Sequence, residues 1–438
     1  MKYKEIYFMK KLCLIVLGLS LISTMIFANG SQESTDAKPA KDVEITVLAT
    51  WAGDTPSVVV TRDAVLGFSE LENGITVNAD FVYEEKSYYD KLRTRIATGE
   101  FPDIFEDYGG ARDKDYVESG LLVDLQPYLD ADPEWRDSFV NVLGDWQYDG
   151  FPGQFGVPTD MYCVGIYYNT AIFEELNLEI PESMDEFTAV CDKLITAGYD
   201  PMSLGEKDPY RAGHFLNNLV MKSIGAQGVM DLGSRKIAYD GPEMMRLYQL
   251  IYDFNEKGYF GPNTINKDAG MARADFHNKV SAMHFDGTWA ISPIDESKIS
   301  ADVGFFPFPY LEKEFYGHWQ GGNNGGVSVV NTQDQDKIDA AVELVKMLTS
   351  PKLMAEKQAA AKGGVYPVMF EGDSSVVSPL ATIVSEKMTM SEVFKTDIQN
   401  YDVNTKMLDA VRNALQGLFV GGTPEECAAD IMRVVNAE

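Results

Sequence analysis

Cysteine is scarce in this sequence. Four occur among 438 residues, and one of them, Cys13, lies in an apolar run near the amino terminus. The remaining three, Cys163, Cys191 and Cys427, are too few for the disulfide framework of a small secreted domain; one bridge or three buried thiols fit better. Histidine is equally sparse. His214, His277, His284 and His318 form no H-x-x-x-H pair or other metal-ligand spacing, so no metal is expected. There is no G-x-S-x-G elbow, no phosphate-binding P-loop, and no G-x-G-x-x-G after a strand, so no cofactor is expected either. The Gly-rich stretch Gly321–Gly326 lacks a following Lys-Ser/Thr and leads into a strand-like segment, which makes it a poor phosphate cradle. Carboxylates are abundant, but no pair of them stands out as a glycosidase acid and base.

Positive charge is also short: 37 Lys and Arg face 67 Asp and Glu, a net charge of −30. Such a field repels nucleic acid and anionic lipid, and it favours a soluble monomer. Long apolar runs are confined to Leu12–Phe27. Preceded by Lys10 and Lys11 and followed by Ala28, that run has the layout of a secretory signal peptide over residues 1–28. It is shorter than the roughly 20 residues a membrane span needs. Cys13 lies at its beginning rather than its end, so a lipid anchor is not expected. Residues 29–42 are polar and read as a flexible tether. Loss of residues 1–28, with four Lys and one Glu, leaves a formal charge of −33. The expected location is the periplasm.

About 400 residues remain, more than one core usually serves, which predicts two lobes. Strand-like Val43–Thr50 is followed by Thr55-Pro56, a helix start, with the helix over 56–71. Residues 75–81 alternate apolar and polar, a helix is expected over 88–98, and a short strand over 103–107. This order predicts a parallel α/β sheet flanked by helices. The grammar returns after residue 155: a strand over 164–168, a Ser183–Glu186 capping box opening a helix that ends at Gly198, a helix over 242–256, a strand over 280–285, a strand over 327–330 and a helix over 336–348.

Ligands of open α/β sheets sit at the carboxyl ends of strands. Trp51 and Asp54, Asp107 and Tyr108, and Asp286 and Trp289 fall at such ends, and Asp160 and Tyr162 sit between two strand-like runs. Aromatic faces suit the apolar C–H face of a pyranose, and carboxylates suit its hydroxyl rim. The same residues leave open a cationic, peptide or amino-acid ligand, because Trp and Asp also hold ammonium groups. A secreted glycosidase is the remaining alternative.

Five segments resemble the extracellular solute-binding proteins of carbohydrate ABC importers, the class that includes maltose-binding protein. They are Tyr89-Asp-Lys-Leu92 with Ala97–Ile104; Gly120-Leu-Leu-Val-Asp-Leu125; Phe155–Pro158 through Ile166–Asn169, with Phe173 and Pro181; Phe276–Met283, where Asn278 stands for a usual Gly; and Gly287-Thr-Trp289. Their order holds across 43–438. The resemblance implies two α/β lobes, each a mostly parallel sheet, with a ligand captured between them by hinge closure and passed to a membrane permease without chemistry. It places lobe one at 43–158 plus 327–350, lobe two at 159–322 plus 351–438, and a hinge at 323–326. It assigns ligand contact to Trp51, Asp54, Asp107, Tyr108, Asp160, Tyr162, Asp286 and Trp289, and adds His214, Trp319 and Tyr366.

Overall fold

The computed structural model describes residues 42–437 except 72, 73, 141 and 405. The leader and almost all of the tether expected at the amino terminus lie outside the described residues. Eleven strands follow one another among the described residues: β1 (Val43–Ala49), β2 (Ile75–Phe81), β3 (Ile104–Asp107), β4 (Val157–Pro158), β5 (Met161–Asn169), β6 (Asp200–Ser203), β7 (Ser281–Gly287), β8 (Val303–Pro307), β9 (His318–Asn323), β10 (Gly326–Val329) and β11 (Val393–Lys395). They form two sheets. The first has the order β2-β1-β3-β10-β4, the second β11-β9-β5-β7-β6 with β8 also on β5.

Alternation explains how each sheet is covered. Ile45, Val47 and Ile104 point into one core with Val327, Val329, Ala341 and Val345, whereas Leu48 and Phe105 face a second cluster with Tyr88, Leu92 and Val330. In β5, Tyr162, Val164 and Ile166 enter the largest core while Cys163 and Tyr167 enter another with Phe305 and Trp319. Both faces are buried, so β5 carries an almost uninterrupted apolar run. The expected helices over 56–71, 88–98, 242–256 and 336–348 stand at Pro56–Gly67, Glu85–Thr98, Pro242–Glu256 and Gln335–Leu348. The Ser183 capping box is complete: the Glu186 N–H reaches Ser183 Oγ at 3.3 Å, and the Glu186 carboxylate accepts from the Ser183 N–H at 3.0 Å. Its helix ends at Gly198, whose φ of 88° favours glycine.

Two expectations need correction. The sheets are mixed: β1 is parallel to β2 and β3, but β10 is antiparallel to β3 and β4, and β5 is antiparallel to β7, β8 and β9. Strands that carry the chain between sheets arrive in the opposite sense to the strands built by helical crossovers. The other concerns lobe one, which does not end at residue 350. Helix Pro351–Ala361 packs on helix Pro56–Gly67, and Leu353, Met354, Tyr366 and Val368 belong to the first core. Leu380, Ala381 and Val384 then pack in the second lobe, so the third crossing lies between 370 and 379. The first two crossings occupy 159–160, between β4 and β5, and 324–325, between β9 and β10.

Cys163, Cys191 and Cys427 are free and buried. Burial pushes the thiols of Cys163 and Cys427 up to about 12, which leaves them protonated and inert.

Candidate functional site

A cavity of about 340 Å³ is lined by residues from both lobes. Tyr108 and Arg112 reach it from the segment after β3. Tyr162 comes from β5, Tyr210 and His214 from helix Tyr210–Ser223, Trp289 from the turn after β7, Asn323 from the end of β9 and Asn324 from the second crossing. Thr396, Asp397, Asn400 and Arg412 close it.

One wall is aromatic. The Tyr162 ring stacks on His214 at 6.0 Å and lies 5.6 Å from Trp289, while His214 stands 5.8 Å from Trp289 and 5.3 Å from Tyr210. Three rings in mutual contact, with Tyr210 against His214, form an aromatic surface with little rotamer entropy left to lose. Trp289 is held from behind: its indole N–H donates to Asp286 Oδ1 at 2.6 Å. Asp286 itself is buried among cations. It pairs with Arg211, accepts from Arg273 at 3.3 Å and lies 3.0 Å from His284 Nε2. Burial opposes its ionisation, but the Arg211 charge and the His284 bond outweigh burial and hold the carboxyl well below its ordinary value.

The adjoining surface is polar. Asp397 Oδ2 accepts from Arg412 at 2.7 Å, and Oδ1 accepts from Asn217 at 2.6 Å and from Gln320 at 3.2 Å, with His214 Nε2 at 3.3 Å. Burial again opposes charge, and the Arg412 guanidinium with His214 beside it keeps the carboxyl below its ordinary value. The Arg112 guanidinium lies over the rings of Tyr89, at 5.0 Å, and Tyr108, at 5.6 Å. Arg412 Nε and Asn400 Oδ1 are buried with no hydrogen-bond partner among the described residues.

A second cavity of about 100 Å³ adjoins the first and shares Trp289 and Asn324 with it. Thr55, Pro56, Asp160, Gly363 and Tyr366 are among its walls. Lys357 Nζ donates to Asp160 at 3.0 Å and lies 5.3 Å from the Tyr366 ring.

Of the residues proposed from sequence, Tyr108, Tyr162, His214 and Trp289 line the larger cavity, and Asp160 and Tyr366 join Trp289 in the smaller one. Trp51, Asp54, Asp107, Asp286 and Trp319 line neither. Trp51 is 5% exposed and packs in the first core, 6.2 Å from Phe81. Asp54 is exposed, one residue ahead of the cavity residues Thr55 and Pro56. Asp107 turns inward and accepts from Trp146 Nε1 at 2.6 Å. Asp286 is buried and touches the cavity lining only where it accepts the Trp289 indole N–H at 2.6 Å. Trp319 is buried on the far face of β9, with its N–H on the Tyr316 carbonyl at 3.1 Å.

Sequence reasoning missed Arg112, Tyr210, Asn323, Asn324, Thr396, Asp397, Asn400 and Arg412. Asn323-Asn324 had a signal, being the polar pair inside the Gly-rich crossing. The Thr396–Asn400 stretch had none, because it runs from the end of a three-residue strand into a 3₁₀ turn with no periodicity.

Ser203 Oγ at 2.8 Å from His284 Nδ1, and Asp286 at 3.0 Å from Nε2, bring together the residue types of a hydrolase triad but with the two imidazole nitrogens exchanged. All three are buried and none lines a cavity. Phe276 stacks over the imidazole at 5.7 Å, so the hydroxyl has no open face toward a substrate.

Two sheet-and-helix lobes joined by crossing strands, with an aromatic and polar cleft between them, define a two-lobed binding fold. Residues 51–355 match the family described as bacterial extracellular solute-binding protein, and the chain belongs to that family. It is 25% identical over 234 residues to the multiple sugar-binding protein of Streptococcus mutans serotype c, covering 50% of this chain and 52% of that one. It is 26% identical over 172 residues to the melibiose/raffinose/stachyose-binding protein MelE of Bacillus subtilis, covering 39% and 37%. The chain thus spans about half the length of the first relative and less of the second. Among solved structures, a chitin oligosaccharide binding protein superposes with a TM-score of 0.82 at 24% identity, over 90% of this chain and 98% of that one. RafE in complex with raffinose superposes at 0.72 with 18% identity, over 90% and 99%. Among the described residues no helix is long and apolar enough to cross a membrane.

Proposed function

We propose that this protein captures a small saccharide between its lobes and delivers it to an ABC permease in the inner membrane, acting in the periplasm as a monomer and without chemistry. One observation carries the reading: an aromatic surface of Tyr162, His214, Trp289 and Tyr210 adjoins a polar surface of Asp397, Arg412, Arg112 and three asparagines around one cavity of about 340 Å³. A pyranose has that same division into an apolar face and a hydroxyl rim. Arg412, Asn324 and Asn400 line the cavity and carry the kinds of donor and acceptor groups that hydroxyl groups pair with. The cavity volume falls in the range of about 300–1,000 Å³ usual for small-molecule sites. The relatives named for multiple sugars and for melibiose, raffinose and stachyose support the same ligand class.

The mechanism is a population shift. Tyr108 and Arg112 belong to one lobe and Trp289, Asp397 and Arg412 to the other, so a ligand touches both sets only when the lobes close. Its preference for the closed form limits how far it moves the equilibrium. A thermal-shift screen of the chain against mono- and oligosaccharides, with polyamines, peptides and amino acids alongside, tests the proposal. A saccharide at 100 times its Kd should add about 2.7 kcal/mol of stability. Stabilisation by cations or peptides alone would overturn the ligand class, and release of reducing ends from a bound oligosaccharide would overturn capture without chemistry.

A further inference from the structure

Asp145 lies in a single turn of the first lobe, Leu143–Trp146, and lines neither cavity. Its carboxylate nevertheless spans the lobes. Oδ2 accepts from the side-chain amide of Asn323, the last residue of β9, and Oδ1 accepts from the Tyr401 hydroxyl at 3.1 Å. Tyr401 packs against the core of the second lobe, and its hydroxyl lies 3.2 Å from Oγ1 of the cavity residue Thr396. The Lys395 ammonium sits 4.5 Å from the centre of the Tyr401 ring. Asp145 therefore holds two second-lobe side chains from the first lobe, one of which, Asn323, is itself a cavity residue beside the crossing. Burial raises the carboxyl above its ordinary value while the Asn323 and Tyr401 bonds oppose that rise, so the partners compensate for lost water.

We infer that Asp145 is an interlobe latch: its bonds to Asn323 and Tyr401 exist only with the lobes together, and they set the open–closed balance of the unliganded chain. The inference rests on the two-lobed binding reading, but it is independent of which ligand binds. Hinge motion at Asn324-Gly325 separates Asp145 from Tyr401, and both groups then return to water. Because hydrogen bonds to a charged group are worth more than neutral ones, losing either bond moves the closed-to-open ratio about tenfold toward open.

The test needs no ligand. Spin labels are placed on the two lobes through Glu118→Cys and Gln249→Cys, both at exposed positions, with Cys13→Ser removing the thiol of the amino-terminal segment and Cys163, Cys191 and Cys427 buried. Pulsed electron paramagnetic resonance then gives the interlobe distance distribution of the unliganded chain, of Tyr401→Phe and of Asp145→Asn. Tyr401→Phe removes one oxygen and keeps the ring under Lys395, so it decides the matter should Asp145→Asn fail to fold by circular dichroism. The expected result is a shift away from the closed distance in each variant, with the double variant no further shifted than the larger single. A distribution in folded Tyr401→Phe identical to that of the parent overturns the latch. A shift stands even if no saccharide binds the parent, so failure of the ligand assignment is read separately.

Discussion

The indole N–H of Trp289 donates to Asp286 Oδ1 at 2.6 Å, and the same oxygen accepts the Gly287 N–H at 2.9 Å. A buried carboxylate thus fixes the one ring that faces both cavities. The pair divides two kinds of effect. Asp286→Asn leaves Arg211 and Arg273 short of a counter-charge, and the account expects a loss of about 3–5 kcal/mol in folding stability. Thermal unfolding measures it, and an unchanged Tm would show that the arginines are not held by that charge.

Gly110 approaches the other lobe closely. With φ at 71°, a Cβ there would stand 2.7 Å from the Asn400 carbonyl oxygen. Gly110→Ala should prop the cleft open and weaken capture of any ligand by about tenfold or more, since the closed state alone makes both sets of contacts. Small-angle scattering at saturating ligand checks this; a radius of gyration equal to that of the parent contradicts it.

Asp107 and Asp113 form a buried acid pair beneath the site. Burial raises both carboxyls, and the Asp107 charge raises Asp113 further. An acid whose folded pKa is raised holds its proton in the folded chain after the unfolded chain has lost it. Stability therefore falls as pH climbs above about 4, the ordinary carboxyl value. Asp113→Asn removes that titration and places an amide donor beside Asp107. Its advantage should be absent near pH 4 and reach on the order of 1 kcal/mol by pH 7. Denaturant melts at the two pH values measure it; a difference that does not grow with pH sinks the explanation.

Lys222 carries the opposite sign of charge and the same logic. Burial lowers its ammonium to about 7, with Nζ on the Tyr316 carbonyl at 2.5 Å and over the rings of Tyr316 and Trp319. The unfolded chain stays protonated up to about 10, so the penalty for neutralising or burying this charge is full below pH 7 and fades as pH rises toward 10. Lys222→Met should be more favourable at pH 6.5 than at pH 9.5 by on the order of 1–3 kcal/mol, the lost carbonyl bond being independent of pH. Equal effects at both pH values would mean that the lysine titrates normally.

Local elements were legible where periodicity and caps agree. Ile75–Phe81 and Pro56–Gly67 stand where alternation and the Thr55-Pro56 start place them. The sense of the strands was not legible, because strand direction in β10 depends on where the chain re-enters the first sheet. For the site, position after a strand led to Trp289 and Tyr108, which line the larger cavity, but could not tell which face a side chain takes. Trp319 and Gln320 show the difference. One residue apart on β9, Trp319 enters a core while Gln320 joins Asn218 at 2.8 Å and Asp397 on the cavity side. Asp397 and Arg412 were out of reach because they are 15 residues apart and meet only through the packing of helix Met407–Gly417.

The most direct test of the account is a calorimetric titration of the chain and of Trp289→Ala with the best saccharide from the thermal screen. The account predicts one site per chain and a loss of about 2–4 kcal/mol in binding free energy for the variant, with its Tm little changed, as a central stacking anchor requires. Equal affinity in the two proteins, or heat from a non-saccharide ligand alone, would contradict a saccharide held against Trp289.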